Sequence, residues 1–299
     1  MNYYFDNMKS NFMKYILNTK GYYIYKNILS ENEIKNALEL FNIYIKRNFE
    51  NFDYIHSKIN IHNIIKYHQI GHQEHAWYLR TRKKIIKLFA DVWNTNINNL
   101  CVSFDGTCYI KKTNSKFNNK CWTHTDQAPK YKNLKCYQGF VSLTNNKYNS
   151  LLIYEGSHKL HEEYFKNKNL SNDSKNWHKI DPNYLETIKD KKKILNVPKG
   201  SFVIWDSRLF HQNTHINNEE RIVQYISMLP KNNKENSIAQ QKKRLKYFNE
   251  LRTTSHWCYP LKVNGLQPQT YGNKDLLIDY DLLIKPNLEN YMDVIKKLL

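Results

Sequence analysis

The chain has 299 residues, 40% of them hydrophobic and 14% aromatic, and its 46 Lys+Arg against 27 Asp+Glu give a formal net charge of +19. That apolar fraction fills a sizeable core and excludes a disordered chain, while only eight glycines and seven prolines exclude collagen-like and Pro/Gly-rich classes. The length suits one large domain or two small ones, and no boundary or internal repeat divides it.

In chain order, residues 1–20 read as a polar leader and 21–299 as a single domain. Gly21 to Leu29 alternates as a strand. Ser30-x-x-Glu33 follows as a capping box, in which the serine hydroxyl accepts from an orphan amide and the glutamate reaches back. Ile34, Leu38, Phe41 and Ile45 then share one helical face. A second amphipathic helix is predicted over about 81–93, burying Ile85 or Ile86, Phe89 and Trp93, and completes a helical part over about 30–95.

From Leu100 the texture changes. Short apolar runs (Leu100 to Ile110, Cys136 to Leu143, Ser150 to Tyr154, Phe202 to Trp205, Ile222 to Leu229) alternate with Asn- and Lys-rich loops, which predicts an antiparallel sandwich or barrel over about 100–230. The polar insertion over about 159–193 reads as loop with a short helix. The C-terminal extension, about 231–299, returns to helix near 234–248 and 288–299, where Leu288, Tyr291, Ile295 and Leu298 share a face. The expected fold class is mainly β with flanking helices (α+β).

One segment carries chemistry: Trp122-Thr123-His124-Thr125-Asp126-Gln127. On a strand, residues two apart point the same way, so His124 and Asp126 present an imidazole and a carboxylate together. These are two corners of the two-His-one-carboxylate triad, which binds one face of Fe(II) and leaves the opposite positions for a cosubstrate and O2. His211, just after the apolar run that ends at Trp205, supplies the third corner. Arg221 opens the next apolar run, where a guanidinium can clamp a dicarboxylate bidentately. A bare His-x-Asp is common; the joint set of His124, Asp126, His211 and Arg221 in a β-rich context is much less so.

These residues resemble the phytanoyl-CoA dioxygenase-like branch of the Fe(II)/2-oxoglutarate oxygenases. The likeness extends to Ser103-Phe104-Asp105-Gly106, Gln138-Gly139, Gly156-Ser157-His158-Lys159 and Gly200 to Arg208, and covers roughly Gly21 to Pro260. It implies a double-stranded β-helix (jelly-roll, cupin-like) core, Fe(II) held by His124, Asp126 and His211, and 2-oxoglutarate meeting Arg221. Gln138 stands between a cosubstrate contact and a structural role. O2 is the second cosubstrate, and the implied reaction is hydroxylation of a small-molecule or lipid-like substrate, with 2-oxoglutarate converted to succinate and CO2. In related halogenases a small residue replaces the carboxylate, so Asp126 favours hydroxylation. Val223 departs from the Ser or Thr usual two residues beyond the arginine, and Tyr148-Asn149-Ser150 departs from the usual turn before Gly-Ser-His.

Other features carry less. His68, His72 and His75 read as surface or helix-edge histidines, and His158 and His161 as loop residues, His158 near the site mouth. Asp206 and Arg208 suit an ion pair that shapes the turn before His211. Lys242-Lys243-Arg244 with Lys246 reads as a solvated helix face, with Phe248 inward. The lysines are spread along the chain, which leaves nucleic acid as an alternative substrate and an inactive jelly-roll binding module as a third reading. No apolar stretch reaches the roughly 18 residues of a membrane span. The start lacks a signal-peptide pattern, and five cysteines without a Cys-x-x-Cys pair suit a reducing, cytoplasmic setting. Substrate identity and oligomeric state are left open by the sequence.

Overall fold

The computed structural model describes residues 2–60, 62–112, 120–216 and 218–299. The elements run α1 (Asn2–Lys20), β1 (Tyr22–Tyr25), α2 (Glu31–Asn48), α3 (Phe52–Ile59), β2 (Ile64–Ile65), α4 (Glu74–Arg80) and α5 (Lys83–Trp93). The β-rich half follows with β3 (Leu100–Val102), β4 (Thr107–Ile110), β5 (His124–Thr125), β6 (Tyr137–Ser142) and β7 (Leu151–Tyr154). Next come α6 (His161–Asn167), β8 (His178–Lys179), α7 (Pro182–Thr187), β9 (Lys192–Ile194), β10 (Phe202–Asp206), β11 (His211–Asn213), β12 (Arg221–Tyr225) and β13 (Met228–Pro230). Two helices close the chain, α8 (Ile238–Asn249) and α9 (Met292–Leu298).

The capping box forms as its chemistry requires. Ser30 Oγ accepts from the Glu33 amide at 3.3 Å, and Glu33 Oε2 accepts from the Ser30 amide at 2.8 Å. The buried stripe of α2 is Ile34, Ala37, Phe41 and Tyr44, so Leu38 and Ile45 sit at its edge rather than its centre. In α5 both Ile85 and Ile86 are buried with Phe89, while Trp93 is partly buried and donates its indole N–H to the Met228 carbonyl at 2.8 Å.

The strands make two antiparallel sheets of a jelly roll, one ordered β1-β10-β6-β12-β4-β2 and the other β8-β5-β11-β7-β9, with β3 and β13 as a separate pair. The alternation of β10 explains why its sequence reads as an unbroken apolar run. Val203 and Trp205 point between the sheets, into a cluster with Phe140, Ile153 and Val223. Phe202 and Ile204 point outward, against the helices, with Phe41, Phe89 and Leu298. A strand covered on both faces has no polar side to alternate with. Each fully buried Phe, Ile or Val stabilises by roughly 1.5–3 kcal/mol relative to exposure, so this doubly packed sheet is the rigid floor of the molecule.

Several sequence expectations change. Residues 2–20, expected to be a polar leader, are helical, and Met13 and Leu17 pack into the helical face of the core; exposed Met8, Phe12 and Tyr15 on the same helix obscure which face is buried. The insertion over 159–193 contains two edge strands besides its helices, and β8 pairs Lys179 with His124 and His178 with Thr125. His72 and His75 are fully buried and His68 nearly so, not surface residues. His75 Nε2 meets Thr107 Oγ1 at 3.0 Å and His72 Nε2 meets the Arg252 carbonyl at 3.1 Å, so they join helices to sheet and tail. Arg244 of the basic stretch is buried too, donating to the Cys258 carbonyl at 2.6 Å. Among the described residues no helix is long and apolar enough to cross a membrane.

Two predictions follow from this packing. At Gly139 an added Cβ would lie 2.2 Å from Phe202 Cε1 and 2.9 Å from the Val203 carbonyl oxygen. Gly139→Ala therefore destabilises by about 1–3 kcal/mol, read as a lower urea midpoint; an unchanged midpoint contradicts this packing. Burial also holds His68 near a pKa of about 4, and His72 and His75, with Arg80 adding to the effect, near about 3. The unfolded chain takes up protons near pH 6.5 and the folded one does not, so the stability these residues contribute is present above about 6.5 and lost as pH falls toward 4 and 3. The expected slope is up to about 1.4 kcal/mol per pH unit per histidine in urea titrations, whereas a flat profile from pH 7 to 4.5 contradicts neutral burial.

Candidate metal centre

The antiparallel pairing of β5 with β11 sets His124 directly opposite His211. Their ring centroids are 4.4 Å apart. Asp126, two residues along, is held by the turn between β10 and β11, because the Asp126 and Gln127 amides both donate to the Ser207 carbonyl at 3.1 Å. The sequence-predicted ion pair locks that turn. Asp206 Oδ1 accepts from the Arg208 amide at 2.8 Å and from Arg208 Nε at 3.0 Å, and Asp206 Oδ2 accepts from Arg208 Nη2 at 2.6 Å.

One ligand atom from each of His124, Asp126 and His211 lies within 4.8 Å of the others. Asp126 Oδ2 is 3.7 Å from His124 Nε2 and 3.3 Å from His211 Nε2. Each imidazole is oriented from behind: His124 Nδ1 lies 3.2 Å from the Trp122 carbonyl and His211 Nδ1 lies 2.9 Å from the Leu209 carbonyl. A carbonyl only accepts, so both Nδ1 atoms carry the hydrogen and both Nε2 lone pairs face Asp126. Burial, with His211 alongside, lowers the His124 pKa to about 3 and keeps the ring neutral. Burial opposes ionisation of Asp126, yet the surrounding His124, His256 and His211 hold its carboxyl well below the usual range. Two imidazole nitrogens and one carboxylate are a donor set suited to a divalent cation.

Aromatic rings brace the centre. The His124 ring stacks with Trp122 at 4.9 Å and 17° and with Trp177 of the insertion at 5.4 Å and 30°. Gln138, placed by sequence between two roles, donates through Nε2 to Asp126 Oδ2 at 3.0 Å and also lines the cavity. His158 and His161 do not reach the site; their Nε2 atoms meet the Asn18 and Gln127 carbonyls.

A cavity of about 440 Å³ opens between the sheets onto the triad, with Gln138, Trp205 and Tyr225 from one sheet facing His124, His211 and Asn213 from the other. Arg221 lies on the inward face of β12, two residues before Val223 and four before Tyr225, and is fully buried. Its guanidinium packs 5.2 Å from the Phe140 ring and Nη1 donates to Cys108 Sγ at 3.6 Å. Nε and Nη2 are buried with no hydrogen-bond partner. Tyr225, not Arg221, forms the cavity wall here, its hydroxyl accepting from Asn213 Nδ2 at 2.9 Å. Sequence reasoning missed Asp105, Tyr225, Asn213 and His256 as cavity residues. The Ser103-Phe104-Asp105-Gly106 quartet and the polar segment 253–257 were visible, but only the fold turns them toward the triad.

No protein-family profile matches the chain. A curated relative, Ava biosynthesis cluster protein O of Aspergillus versicolor, is 28% identical over 178 residues, which is 55% of this chain and 57% of that protein. Among solved structures, GlcNAc Inducible Gene 2 (DUF1479) of Candida albicans aligns with TM-score 0.55 at 13% identity, over 73% of this chain and 62% of that one. The epimerase SnoN, solved with Fe3+, alpha ketoglutarate and nogalamycin RO, aligns with TM-score 0.52 at 12% identity, over 75% and 84%. The chain thus spans about 57–62% of the length of the first two. At these identities the solved structures establish a shared fold.

Asp206→Ala removes the carboxylate that holds three Arg208 donors. It is expected to destabilise by about 2–4 kcal/mol and to weaken Mn(II) binding about tenfold by misplacing His211 and Asp126. Wild-type Mn(II) affinity in a folded variant, measured by calorimetric titration, contradicts the role given to this turn.

Proposed function

We propose that the chain is a non-haem Fe(II)- and 2-oxoglutarate-dependent dioxygenase that hydroxylates a small-molecule or lipid-like substrate. The observation that carries this reading is the convergence of the His124 and His211 Nε2 lone pairs on the Asp126 carboxylate at the mouth of a cavity. Fe(II) bound there supplies O2 activation coupled to oxidative decarboxylation of 2-oxoglutarate to succinate and CO2.

The chain's own residues do the rest. The Trp122 and Leu209 carbonyls fix the imidazole tautomers, and Gln138 orients Asp126. Arg221 holds two unpaired guanidinium nitrogens in a dry site, and an orphaned buried cation requires an anionic partner; the distal carboxylate of 2-oxoglutarate fits it. With Val223 packed into the inter-sheet core, the Tyr225 and Asn213 pair beside Arg221 takes the place of the usual hydroxyl. Trp122 and Trp177 keep the His124 ring in plane and water off its faces. The likeness to the phytanoyl-CoA dioxygenase-like branch and the iron and alpha ketoglutarate named for SnoN support this assignment. A few hundred Å³ suits a metabolite rather than a polymer, which favours a small substrate over nucleic acid. Five cysteines without a disulfide fit a reducing, cytoplasmic setting.

The test mixes purified protein with Fe(II), 2-oxoglutarate and ascorbate. Wild type forms succinate; His124→Ala and Asp126→Ala lose Fe(II); Arg221→Ala keeps Fe(II) but raises the KM for 2-oxoglutarate about 10- to 100-fold. No succinate from folded wild type, or equal iron loading with an unchanged KM in all three variants, contradicts the proposal.

A further inference from the structure

The cavity beside the triad holds three charged groups that the chemistry above does not use. Asp105 lies in the loop just ahead of β4 and faces the cavity. Its Oδ1 accepts from the Gly106 amide at 2.8 Å. Arg80, buried beneath it, donates through Nη1 and Nη2 to the Gly71 and Asp105 backbone carbonyls, at 2.5 and 2.7 Å, and not to the carboxylate. Burial raises the Asp105 carboxyl to about 7, with the Gly106 amide, Arg80 and Lys66 opposing it. Lys66 and Lys262 line the same cavity and are exposed, and neither forms an ion pair among the described residues.

A half-buried carboxylate with one hydrogen bond has capacity for a further donor, which a cationic group satisfies best, and two free ammonium groups lining the same cavity draw an anion. A ligand with only one kind of charge suits either Asp105 or the two lysines and is repelled by the other.

We infer that the substrate is a small zwitterion whose basic nitrogen is received by Asp105 and whose anionic group is received by Lys66 and Lys262. The inference rests on the proposed function in that it places this ligand beside the metal. Asp105 acts here as a specificity residue, since discrimination comes from the charge it would leave unpaired with any ligand lacking the nitrogen.

The probes are free α-amino acids and a series of ω-amino acids of increasing length, each with its N-acetyl and methyl-ester counterpart. Binding to the full-length protein is followed by ligand-observed NMR, with and without Mn(II) and 2-oxoglutarate. The expected result is that at least one zwitterion binds and that N-acetylation or esterification weakens it at least about tenfold. In Asp105→Asn the affinity falls to that of the N-acetyl compound, and in Lys66→Gln/Lys262→Gln the ester is no longer disfavoured. No binding by any zwitterion, or equal binding by the N-acetyl series, overturns the inference, and the ligand series decides this on wild type even where a variant fails to fold. Succinate formation measured in parallel separates the two claims. Zwitterion binding without 2-oxoglutarate turnover removes the oxygenase reading and leaves this site; turnover without zwitterion binding does the reverse.

Discussion

The structure depends on one cross-strand pair. Because β5 and β11 run antiparallel with His124 opposite His211, two residues 87 positions apart in sequence meet with their rings in contact. A slip of one residue would turn either imidazole to the opposite face of the sheet and dissolve the site. The surroundings hold the register: Gln212 Oε1 accepts from the Trp122 amide at 3.1 Å and from Thr123 Oγ1 at 2.7 Å, and β8 pairs with β5 on its other side. The insertion over 159–193 thus backs the strand that carries His124 and supplies Trp177.

The electrostatics follow from that placement. Seclusion keeps the His124 ring neutral, and the surrounding imidazoles keep Asp126 ionised, which leaves a compact anionic donor set beside the cavity. Arg221 is the complementary element, a buried cation with donors unspent. The +19 of the chain takes a more limited meaning. Many lysines pair with surface carboxylates, as Lys135 does with Glu235, and Arg244 serves the tail packing. Among the described residues that line the cavity, Lys66 and Lys262 are exposed and form no ion pair.

Much of this was legible in the sequence because it is local. The capping box, the apolar runs of the sheet and the spacing of His124 and Asp126 are short-range patterns with a direct physical cause. The likeness to a known oxygenase branch carried the jelly roll. What failed to show was long-range or masked by composition. The buried pair Met13 and Leu17 is masked because Met8, Phe12 and Tyr15 of the same helix are apolar yet exposed. His72 and His75 read as polar until the Arg252 carbonyl and Thr107 meet their Nε2 atoms in the core. Gln138 was ambiguous because its partner, Asp126, lies twelve residues away, just beyond β5. Asp105 and His256 become cavity residues only through tertiary placement.

The central claim is that His124, Asp126 and His211 form one metal site. Anomalous diffraction at the manganese edge, from crystals grown anaerobically with Mn(II), tests it most directly. One strong peak within coordination distance of His124 Nε2, His211 Nε2 and an Asp126 oxygen is the predicted result. A peak elsewhere, or none where these three side chains are well ordered, contradicts it.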